Sequence, residues 1–262
     1  MGLTLTADQF SLVYNFFSLA IAAMGSAFVY FLLTRTSVHE KYRLAVTISS
    51  LVVLVAFYHY MRIFDSWNHA FIYDPQTMTY TSGLPGTTPF NEGYRYVDWL
   101  ITVPLLLTEL VLVLKLDRML TRSLLTKLII AAVAMIVLGY PGEISPTTEK
   151  LLDFGPRGIW GILSTIPFLY ILYVLFTELT KAASRQSDAV KDKMFWLRII
   201  VVATWGFYPI AYIVPMVIAD AALAEVIRQV GYSVADILAK PLFGLFIVGI
   251  AMIKSEEEKA AA

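Results

Sequence analysis

The sequence predicts an all-α membrane protein, a bundle of seven transmembrane helices with a short β-hairpin in the loop between the second and third helices. Three observations lead to this prediction. Hydrophobic residues make up 58% of the 262 residues, the mean hydropathy is +0.69, and apolar runs recur at the length of about 20 residues that crosses a bilayer. The chain is too apolar for an ordinary soluble domain, so we interpret residues 1–262 as one membrane domain.

The apolar runs give the order of the helices along the chain, and each run is near or above the length needed to cross. The first run begins within ten residues of the start, with no basic leader or small-residue cleavage site. We therefore expect a retained helix rather than a signal peptide. The predicted spans are residues 8–34, 42–68, 94–114, 121–140, 156–180, 194–218 and 224–253.

One connection between these runs is long. Residues 70–93 alternate threonine and tyrosine before a cluster of glycine and proline, which predicts an extracellular β-hairpin. Residues 184–193 are polar and charged, so we expect a cytoplasmic loop there. Residues 255–262 are interpreted as a solvated cytoplasmic tail.

The basic residues give the orientation of the bundle. They are concentrated after the first, third, fifth and seventh spans, and the opposite loops hold only Lys150, Arg157 and Arg228. By the positive-inside rule, the amino terminus lies outside the cell membrane and the carboxyl terminus lies in the cytoplasm. The formal net charge of zero gives no support to nucleic-acid binding.

Metal binding is not predicted. The sequence has no cysteine, which excludes disulfides and thiolate metal sites. The three histidines, His39, His59 and His69, have no partners at the spacing of metal ligands.

A lysine in the last apolar run is the most unusual residue of the chain. Residues 232–253 are almost wholly apolar, yet they contain Lys240, with Asp236 one helical turn earlier. A bare ammonium inside a membrane is costly, so Lys240 is either paired with carboxylate or chemically modified. A neutral lysine amine condenses with an aldehyde to form a Schiff base. The pattern predicts a bound aldehyde, or else an enzyme that uses the lysine as a Schiff-base catalyst on a small carbonyl substrate.

The third span carries two carboxylates at different depths. Asp98, Thr102 and Glu109 lie at offsets 0, 4 and 11, near one face of a helix, and the two carboxylates are ~16 Å apart along its axis. We interpret Asp98 as a counterion of Lys240, with a structural ion pair to Arg95 as the alternative. For Glu109 two interpretations stay open: a functional carboxyl group, or a side chain that snorkels to the cytoplasmic interface.

Aromatic residues of the sixth span predict the wall of a ligand site. Trp205, Tyr208 and Tyr212 share one face of the helix. Together with Trp99 on the third span and Trp160 on the fifth, they predict a long apolar slot that leads to the lysine. Such a slot suits a slender polyene.

Four segments of the sequence carry a family resemblance: RYVDWLITVPLLLTEL at 95–110, WGILSTIPFLYILYVLF at 160–176, WGFYPIAY at 205–212 and DILAKPLFG at 236–244. Together they resemble the microbial rhodopsins, and the resemblance covers all seven helices. It implies an all-trans retinal bound covalently to Lys240 as a Schiff base, with Asp98 and Asp236 as counterions and Arg95 next to them. The residues expected to line the retinal are Trp99, Leu106, Ser164, Trp205, Tyr208, Pro209 and Tyr212.

The third-span triplet is similar to that of the proton pumps proteorhodopsin and xanthorhodopsin. The resemblance implies a light-driven outward pump in which Asp98 accepts the Schiff-base proton and Glu109 returns one from the cytoplasm, with Thr102 between them. Inward chloride pumps of the family lack the first carboxylate, and sodium pumps carry Asn, Asp and Gln at the three sites. A sensory rhodopsin that signals to a partner is the alternative, although sensory members usually lack the second carboxyl group. The enzyme alternative, which is disfavoured, predicts a colourless protein that turns over its substrate, whereas bound retinal gives a visible absorption band.

Two further positions resemble the xanthorhodopsin branch. His59 is similar to the histidine that hydrogen-bonds the counterion aspartate, although a lone membrane histidine is more often a packing residue. Gly161 stands where many members have a bulky tryptophan beside the retinal ring. The resemblance implies a window there for a carotenoid antenna, such as a hydroxylated xanthophyll, and close packing by a small residue is the other interpretation. Leu106 occupies a colour-tuning position at which leucine goes with green absorption.

The outer side departs from the haloarchaeal pump. Its proton-releasing pair of glutamates has no clear match, because Arg228 lies eight residues before Asp236 and Glu225 is the only weak candidate. The resemblance also implies a homo-oligomer in the lipid bilayer, a pentamer or a trimer, with no obligate transducer.

Overall fold

The computed structural model describes residues 2–145 and 155–260. Within that part of the chain, seven helical segments are long and apolar enough to cross a membrane, which confirms the predicted fold class. Lys150 and residues 261–262 lie outside the described residues. The segments are Ala7–Ser37, Glu40–Ala70, Gly93–Val113, Arg118–Glu143, Pro156–Lys181, Asp188–Val217 and Ala221–Ala260.

Ten α-helices build these spans within the described residues, because the fifth, sixth and seventh spans each consist of two helices. A single turn residue, Gly206, separates the two helices of the sixth span. A π-helix, Leu238–Leu242, interrupts the seventh. In chain order the helices are α1 Ala7–Thr34, α2 Arg43–Ala70, α3 Gly93–Val113, α4 Arg118–Glu143, α5 Pro156–Phe176, α6 Glu178–Ala183, α7 Asp188–Trp205, α8 Phe207–Val217, α9 Ala221–Ile237 and α10 Phe243–Ala260.

Side-chain caps fix where several helices begin. The Thr6 hydroxyl accepts a hydrogen bond from the Gln9 backbone N–H, and the Gln9 side chain accepts one from the Thr6 N–H, so α1 starts with a capping box. Asp117, Ser187 and Asp220 cap α4, α7 and α9 in the simpler way, each accepting from a backbone N–H three residues on.

A small antiparallel sheet covers one end of the bundle, which we call the sheet side. The predicted hairpin is present as β2, Phe71–Asp74, and β3, Thr79–Ser82. In the described residues the sheet has a third strand, β1, Thr4–Thr6, which pairs with β3 to give the order β1-β3-β2. Sequence reasoning missed β1 because three residues are too few to show a strand pattern.

The opposite end, the tail side, is more helical than predicted. The loop predicted over residues 184–193 is confined to Ser184–Ser187, because Ser187 caps α7 and the residues after it are helical. The predicted tail of residues 255–262 is helical as far as Ala260. Its Glu258 carboxylate accepts hydrogen bonds from the Lys41 amine at 2.5 Å and the Tyr42 hydroxyl at 3.1 Å, which hold the helix end against the start of the second span.

Polarity is distributed as expected for a chain in lipid. Large apolar side chains lie on the outside of the bundle, with Leu33 70% exposed and Ile166 62% exposed. Charged side chains, Lys240 among them, are buried inside it. Intramembrane charges that face the bundle interior mark functional positions, so the site is sought there.

Candidate functional site

Lys240 lies at a local irregularity of the seventh span. It is in the π-helix, directly before Pro241, which has no N–H to donate to the helix ladder. Its amine is buried and contacts two carboxylates: it donates to Asp98 Oδ2 and, at 2.9 Å, to Asp236 Oδ1. The spacing predicted from the sequence therefore brings these three residues together.

The Asp236 carboxylate is surrounded by donors. Besides the lysine, the Tyr208 hydroxyl at 2.6 Å and the Trp99 indole N–H at 3.2 Å donate to Oδ1. The Tyr60 hydroxyl donates to Oδ2 at 2.7 Å. The Arg95 guanidinium also lies beside this carboxylate, with Nη1 3.7 Å from Oδ2. Each oxygen of Asp236 therefore has at least one hydrogen bond that favours the ionised form.

Asp98 is much more sparsely bonded. Its Oδ1 has no hydrogen-bond partner among the described residues. The Thr102 hydroxyl donates to the Asp98 backbone carbonyl at 2.9 Å rather than to the carboxylate. The hydrogen bond expected from His59 is not formed: His59 Nδ1 lies 3.9 Å from Oδ1 and bonds the Val55 carbonyl at 2.9 Å. The proton-relay role of His59 stays a prediction.

The two carboxylates beside the lysine are therefore unequal. Protonating Asp236 would disturb the hydrogen bonds of neutral donors at either oxygen, two at Oδ1 or one at Oδ2, whereas Asp98 Oδ1 has none to lose among the described residues. Arg95 adds to this difference, because its ion pairs are with Asp236 and Glu92 and not with Asp98. The alternative of a structural Asp98–Arg95 pair is therefore wrong. Of the two carboxylates, Asp98 is the one suited to accept a proton.

Glu109 is fully buried, on the tail-side half of α3. Its Oε2 accepts a hydrogen bond from the Ser49 hydroxyl at 2.5 Å, and its Oε1 has no partner among the described residues. The interpretation that Glu109 snorkels to the interface is therefore wrong. Among the described residues, the buried Glu109 carboxyl group has one neutral donor and no ion pair with a cation, which suits a group that holds a proton.

A cavity of about 370 Å³ reaches from Lys240 on the seventh span to Gly158 and Gly161 on the fifth. Its size and largely apolar lining are typical of a small-molecule site. All seven positions expected to line a retinal border the cavity. Trp160, which was predicted to form part of the apolar slot, does not border it. The lining includes Trp99, Leu106, Ser164, Trp205, Tyr208, Pro209 and Tyr212, as well as Tyr96, Gly139 and Tyr232.

Gly161 packs closely against a neighbouring helix, as one of its two interpretations requires, and the carotenoid window stays a prediction. A Cβ atom at this position would lie 2.8 Å from Cε1 of Tyr212, so the glycine allows a close approach of the tyrosine ring. The same glycine lines the cavity, and its neighbour Ile162 is 51% exposed on the outside of the bundle. The cavity wall is therefore thin here, on a face of α5 that meets lipid.

A network of charged residues lies between the site and the sheet side. Arg157 and Arg228, assigned to loops from the sequence, are buried within α5 and α9 and contact the Glu143 carboxylate. Arg95 Nη2 donates a hydrogen bond of 2.7 Å to the side-chain oxygen Oε1 of Gln229, and Gln229 Nε2 donates at 2.6 Å to Glu92 Oε1.

Glu92 lies just before α3 and is shared by two donors, Gln229 and Arg228. Burial raises the pKa of the Glu92 carboxyl, the Arg228 guanidinium opposes this rise, and Glu225 adds to it. Glu92 therefore keeps its proton to a higher pH than an exposed glutamate does. Glu225 contacts the same two donors, so Glu225 has a structural place in this network.

Sequence reasoning missed several polar residues of the site. They are Tyr60 beside Asp236, Ser49 beside Glu109, and the network residues Gln229, Glu143 and Glu92. Hydrogen-bonding groups in an apolar span were a usable signal for the first two. No spacing rule could assign their partners, because Tyr60 and Asp236 are 176 residues apart.

The sequence model for bacteriorhodopsin-like proteins matches residues 12–254. The chain belongs to the bacteriorhodopsin-like family. This microbial rhodopsin is similar to xanthorhodopsin, whose crystal structure is that of a light-driven ion pump with a dual chromophore: the two are 48% identical, cover 99% of each other and superpose with a TM-score of 0.89.

Two other relatives of this rhodopsin are comparable in coverage. The crystal structure of thermophilic rhodopsin is 45% identical, covers 98% of this chain and 99% of its own, and has a TM-score of 0.90. The green-light absorbing proteorhodopsin of Gamma-proteobacterium EBAC31A08 is 31% identical over 240 residues, which is 91% of this chain and 86% of that protein.

Proposed function

We propose that this rhodopsin is a light-driven outward proton pump that carries all-trans retinal on Lys240. The observation that carries the proposal is the unequal bonding of the two carboxylates at the lysine, with a third carboxyl group buried toward the tail side. Similarity to proteins named as a proteorhodopsin and as a light-driven ion pump supports it.

The residues present fit a retinal. Lys240 Nζ borders the cavity and supplies the amine that an aldehyde needs. Trp99, Trp205 and Tyr208 would flank the polyene with flat apolar surfaces. When bound, retinal supplies the absorption of visible light and a change of shape that moves the lysine nitrogen's proton away from its resting partner.

The protein's part in the outward step is to offer one good acceptor. The proton leaves Lys240 Nζ for Asp98 on the sheet-side half of α3, because Asp98 already contacts the nitrogen and one of its oxygens has no hydrogen-bond partner in the described part of the chain. Asp236 stays ionised because two hydroxyl groups and one indole N–H donate hydrogen bonds to its carboxylate. The surrounding apolar walls exclude water and strengthen these electrostatic interactions.

The protein's part in the return step is to hold a proton on the other side. Glu109 is separated from Asp98 by about 16 Å along α3, and the Ser49 hydroxyl fixes one of its oxygens. Glu109 returns a proton to Lys240 Nζ from the tail side. With the basic loops on the cytoplasmic side of a cell membrane, which places the amino terminus outside, this order moves protons outward.

The experiment that tests the pump is illumination of retinal-supplied cells that make the protein, with the pH of the medium recorded. We expect light to acidify the medium and a protonophore to abolish the change. A light sensor would give a slow photocycle and no acidification. Repeating the measurement in liposomes that contain only the purified protein tests the further expectation that no transducer is needed.

Replacing Glu109 with glutamine is expected to keep the colour and slow the late return of the proton by roughly 100-fold, the usual loss when a positioned proton donor is removed. Flash spectroscopy at fixed pH measures this step, and azide, a small diffusible acid, should restore part of the rate. Ser49→Ala removes one hydrogen bond to the same group, worth about 1 kcal/mol, and should change the rate only severalfold. An unchanged cycle in Glu109→Gln would refute the donor assignment.

We also propose a carotenoid antenna, such as a hydroxylated xanthophyll, on the thin wall at Gly161. Gly158 lines the cavity beside Gly161. The exposed face of α5 continues with Ile162 and Ile166, and these side chains offer an apolar surface on which a long polyene could lie. The xanthorhodopsin structure, described as having a dual chromophore, supports the proposal.

Gly161→Trp is expected to abolish energy transfer from an added carotenoid to the retinal and to leave proton transport in place. The indole would fill the thin wall and displace the Tyr212 ring, which already touches this position. The excitation spectrum of retinal emission, recorded with and without the carotenoid, measures the transfer. Formation of the normal retinal band shows that the variant is folded, and carotenoid bands that persist in its excitation spectrum would contradict the proposed contact.

A further inference from the structure

Three charged side chains form a buried group at the sheet-side end of the cavity. Glu143 at the end of α4 contacts Arg157 of α5, with Nη2 3.3 Å from Oε1, and Arg228 of α9. The Glu143 and Arg157 side chains are at most 1% exposed and that of Arg228 is 10% exposed. We call these three residues the ion-pair hub.

Arg157 clamps Tyr212 through four separate contacts. Its Nε and Nη2 donate to the Tyr212 backbone carbonyl at 3.1 and 2.9 Å, and the Tyr212 hydroxyl donates back to the Arg157 carbonyl at 2.8 Å. The guanidinium carbon also lies 4.4 Å from the centre of the tyrosine ring, a cation–π contact. The Arg157 side chain thus holds the backbone and the ring of this cavity residue, and the Arg157 backbone holds its hydroxyl.

The hub contacts two more cavity residues through Glu143. The hydroxyl groups of Tyr96 and Tyr232 each lie 3.4 Å from Glu143 Oε2. Arg157 also donates to the Gly142 and Glu143 carbonyls at 3.2 and 3.0 Å, where the last carbonyls of α4 lack helical partners. Three aromatic wall residues are therefore bonded to one buried group of charges.

The position of Tyr212 leaves little space around its ring. A Cβ atom at Gly161 would be 2.8 Å from the ring, and one at Gly142 would overlap the hydroxyl oxygen. The same ring borders the cavity. A small movement of Tyr212 would therefore change the size of the cavity at this end, and the contacts of Arg157 oppose such a movement.

The chemistry of retinal gives the end of the cavity near Tyr212 a role in ligand binding. Retinal is attached through its aldehyde carbon, so with Lys240 at one end of the cavity the ring of retinal must lie at the other. Burying three charges is costly, and a stack of apolar side chains would join the helices as well. We propose that the ion-pair hub is a positioning device that fixes the aromatic wall, Tyr212 above all, and so selects the size of the ring that the site accepts. This inference rests on the proposed retinal binding.

The test compares two aldehydes on the purified full-length apoprotein: all-trans retinal, and an analogue in which a naphthalene ring replaces the smaller ring. The readout is the ratio of the two rate constants of pigment formation. We expect the wild type to favour retinal by at least about tenfold, the discrimination that a rigid apolar pocket gives for a modest excess of volume. In Arg157→Gln, which keeps at most part of the clamp, the ratio should fall toward one.

Two milder variants keep the test decisive if Arg157→Gln fails to fold. Tyr212→Phe removes the hydroxyl that bonds the Arg157 carbonyl, and Glu143→Gln keeps the volume and removes the charge. Each should lower the ratio severalfold and shift the absorption maximum. Arg122→Gln, an exposed residue at the other end of α4, is the matched control and should keep the wild-type ratio.

The outcomes separate the two proposals. If the variants slow pigment formation equally with both aldehydes, the ion-pair hub only stabilises the fold and the inference is overturned. The same holds if Tyr212→Phe and Glu143→Gln both keep the wild-type ratio. If the wild-type protein forms a pigment with neither aldehyde, the retinal proposal itself fails.

Discussion

Lys240→Ala is expected to give a protein that stays colourless with all-trans retinal and transports no protons in light. The buried amine at the end of the cavity is the group that can form the covalent link, and alanine offers no nucleophile. Absorption spectra of the purified variant after incubation with retinal provide the measurement. A variant with a visible band that survives denaturation would show that the lysine is not the attachment site.

Loss of the lysine has a second effect that must be separated from the first. Asp98 and Asp236 would face each other without their shared cation, and breaking a buried ion pair in this way costs roughly 3–5 kcal/mol. The double variant Lys240→Ala/Asp98→Asn removes one of the two charges, so it should regain thermal stability and remain colourless.

Another buried lysine gives the matched control. Lys254 bonds the Gln186 side chain and the Leu114 carbonyl at the tail side, away from the cavity. Lys254→Ala should lower the melting temperature and keep the pigment band. Colour loss in both variants would mean that folding, and not attachment, determines the result.

The fold was predictable because its main signal is local. Seven apolar runs identify seven spans whatever their partners, since each helix meets its hydrogen-bonding requirement internally. The ends of the spans were less certain, because they depend on single capping residues such as Ser187, which starts α7 six residues before the predicted span. The third strand of the sheet depends on pairing between Thr4 and Thr81, and no local pattern encodes it.

The main error of the sequence-based prediction was the position of two arginines, which lie deeper in the bundle than expected. Arg157 and Arg228 were counted with the outer loops, although each falls within the first residues of a predicted span, 156–180 or 224–253. Both are buried, because each meets the Glu143 carboxylate from another helix. A charge is acceptable inside a bundle when its partner is present, and the sequence does not show which partner comes near.

The candidate site was predictable where the spacing is helical. Asp236 and Lys240 are four residues apart and contact each other, and Asp98 reaches the same nitrogen from the third span. The unequal bonding of the two carboxylates was not predictable, because it depends on hydroxyl groups such as that of Tyr60, which in an apolar helix resembles an ordinary packing residue.

Asp98→Asn should form a pigment, shift its colour to the red and stop proton transport. The amide fits this position, because its NH₂ group can take the place of Oδ1, which has no hydrogen-bond partner among the described residues, while the amide oxygen keeps the contact to Lys240. The red shift follows from the loss of a negative charge that stabilises the positive nitrogen in the dark state. Transport should fall by at least about 100-fold, since an amide cannot accept the proton.

Asp236→Asn is the informative comparison, because the same chemical change meets a different environment. Donors surround both Asp236 oxygens, so an NH₂ group on the Oδ1 side would face the indole N–H of Trp99, which can only donate, and one on the Oδ2 side would lie beside the Arg95 guanidinium. We expect poor pigment yield and a lower melting temperature, rather than the stable, red-shifted and inactive pigment of Asp98→Asn. The light-induced pH change in liposomes, divided by the pigment content, compares the two variants. Transport by Asp98→Asn at the wild-type rate per pigment would show that Asp98 is not the acceptor, and it would leave Asp236, despite its donors, as the group to which the proton goes.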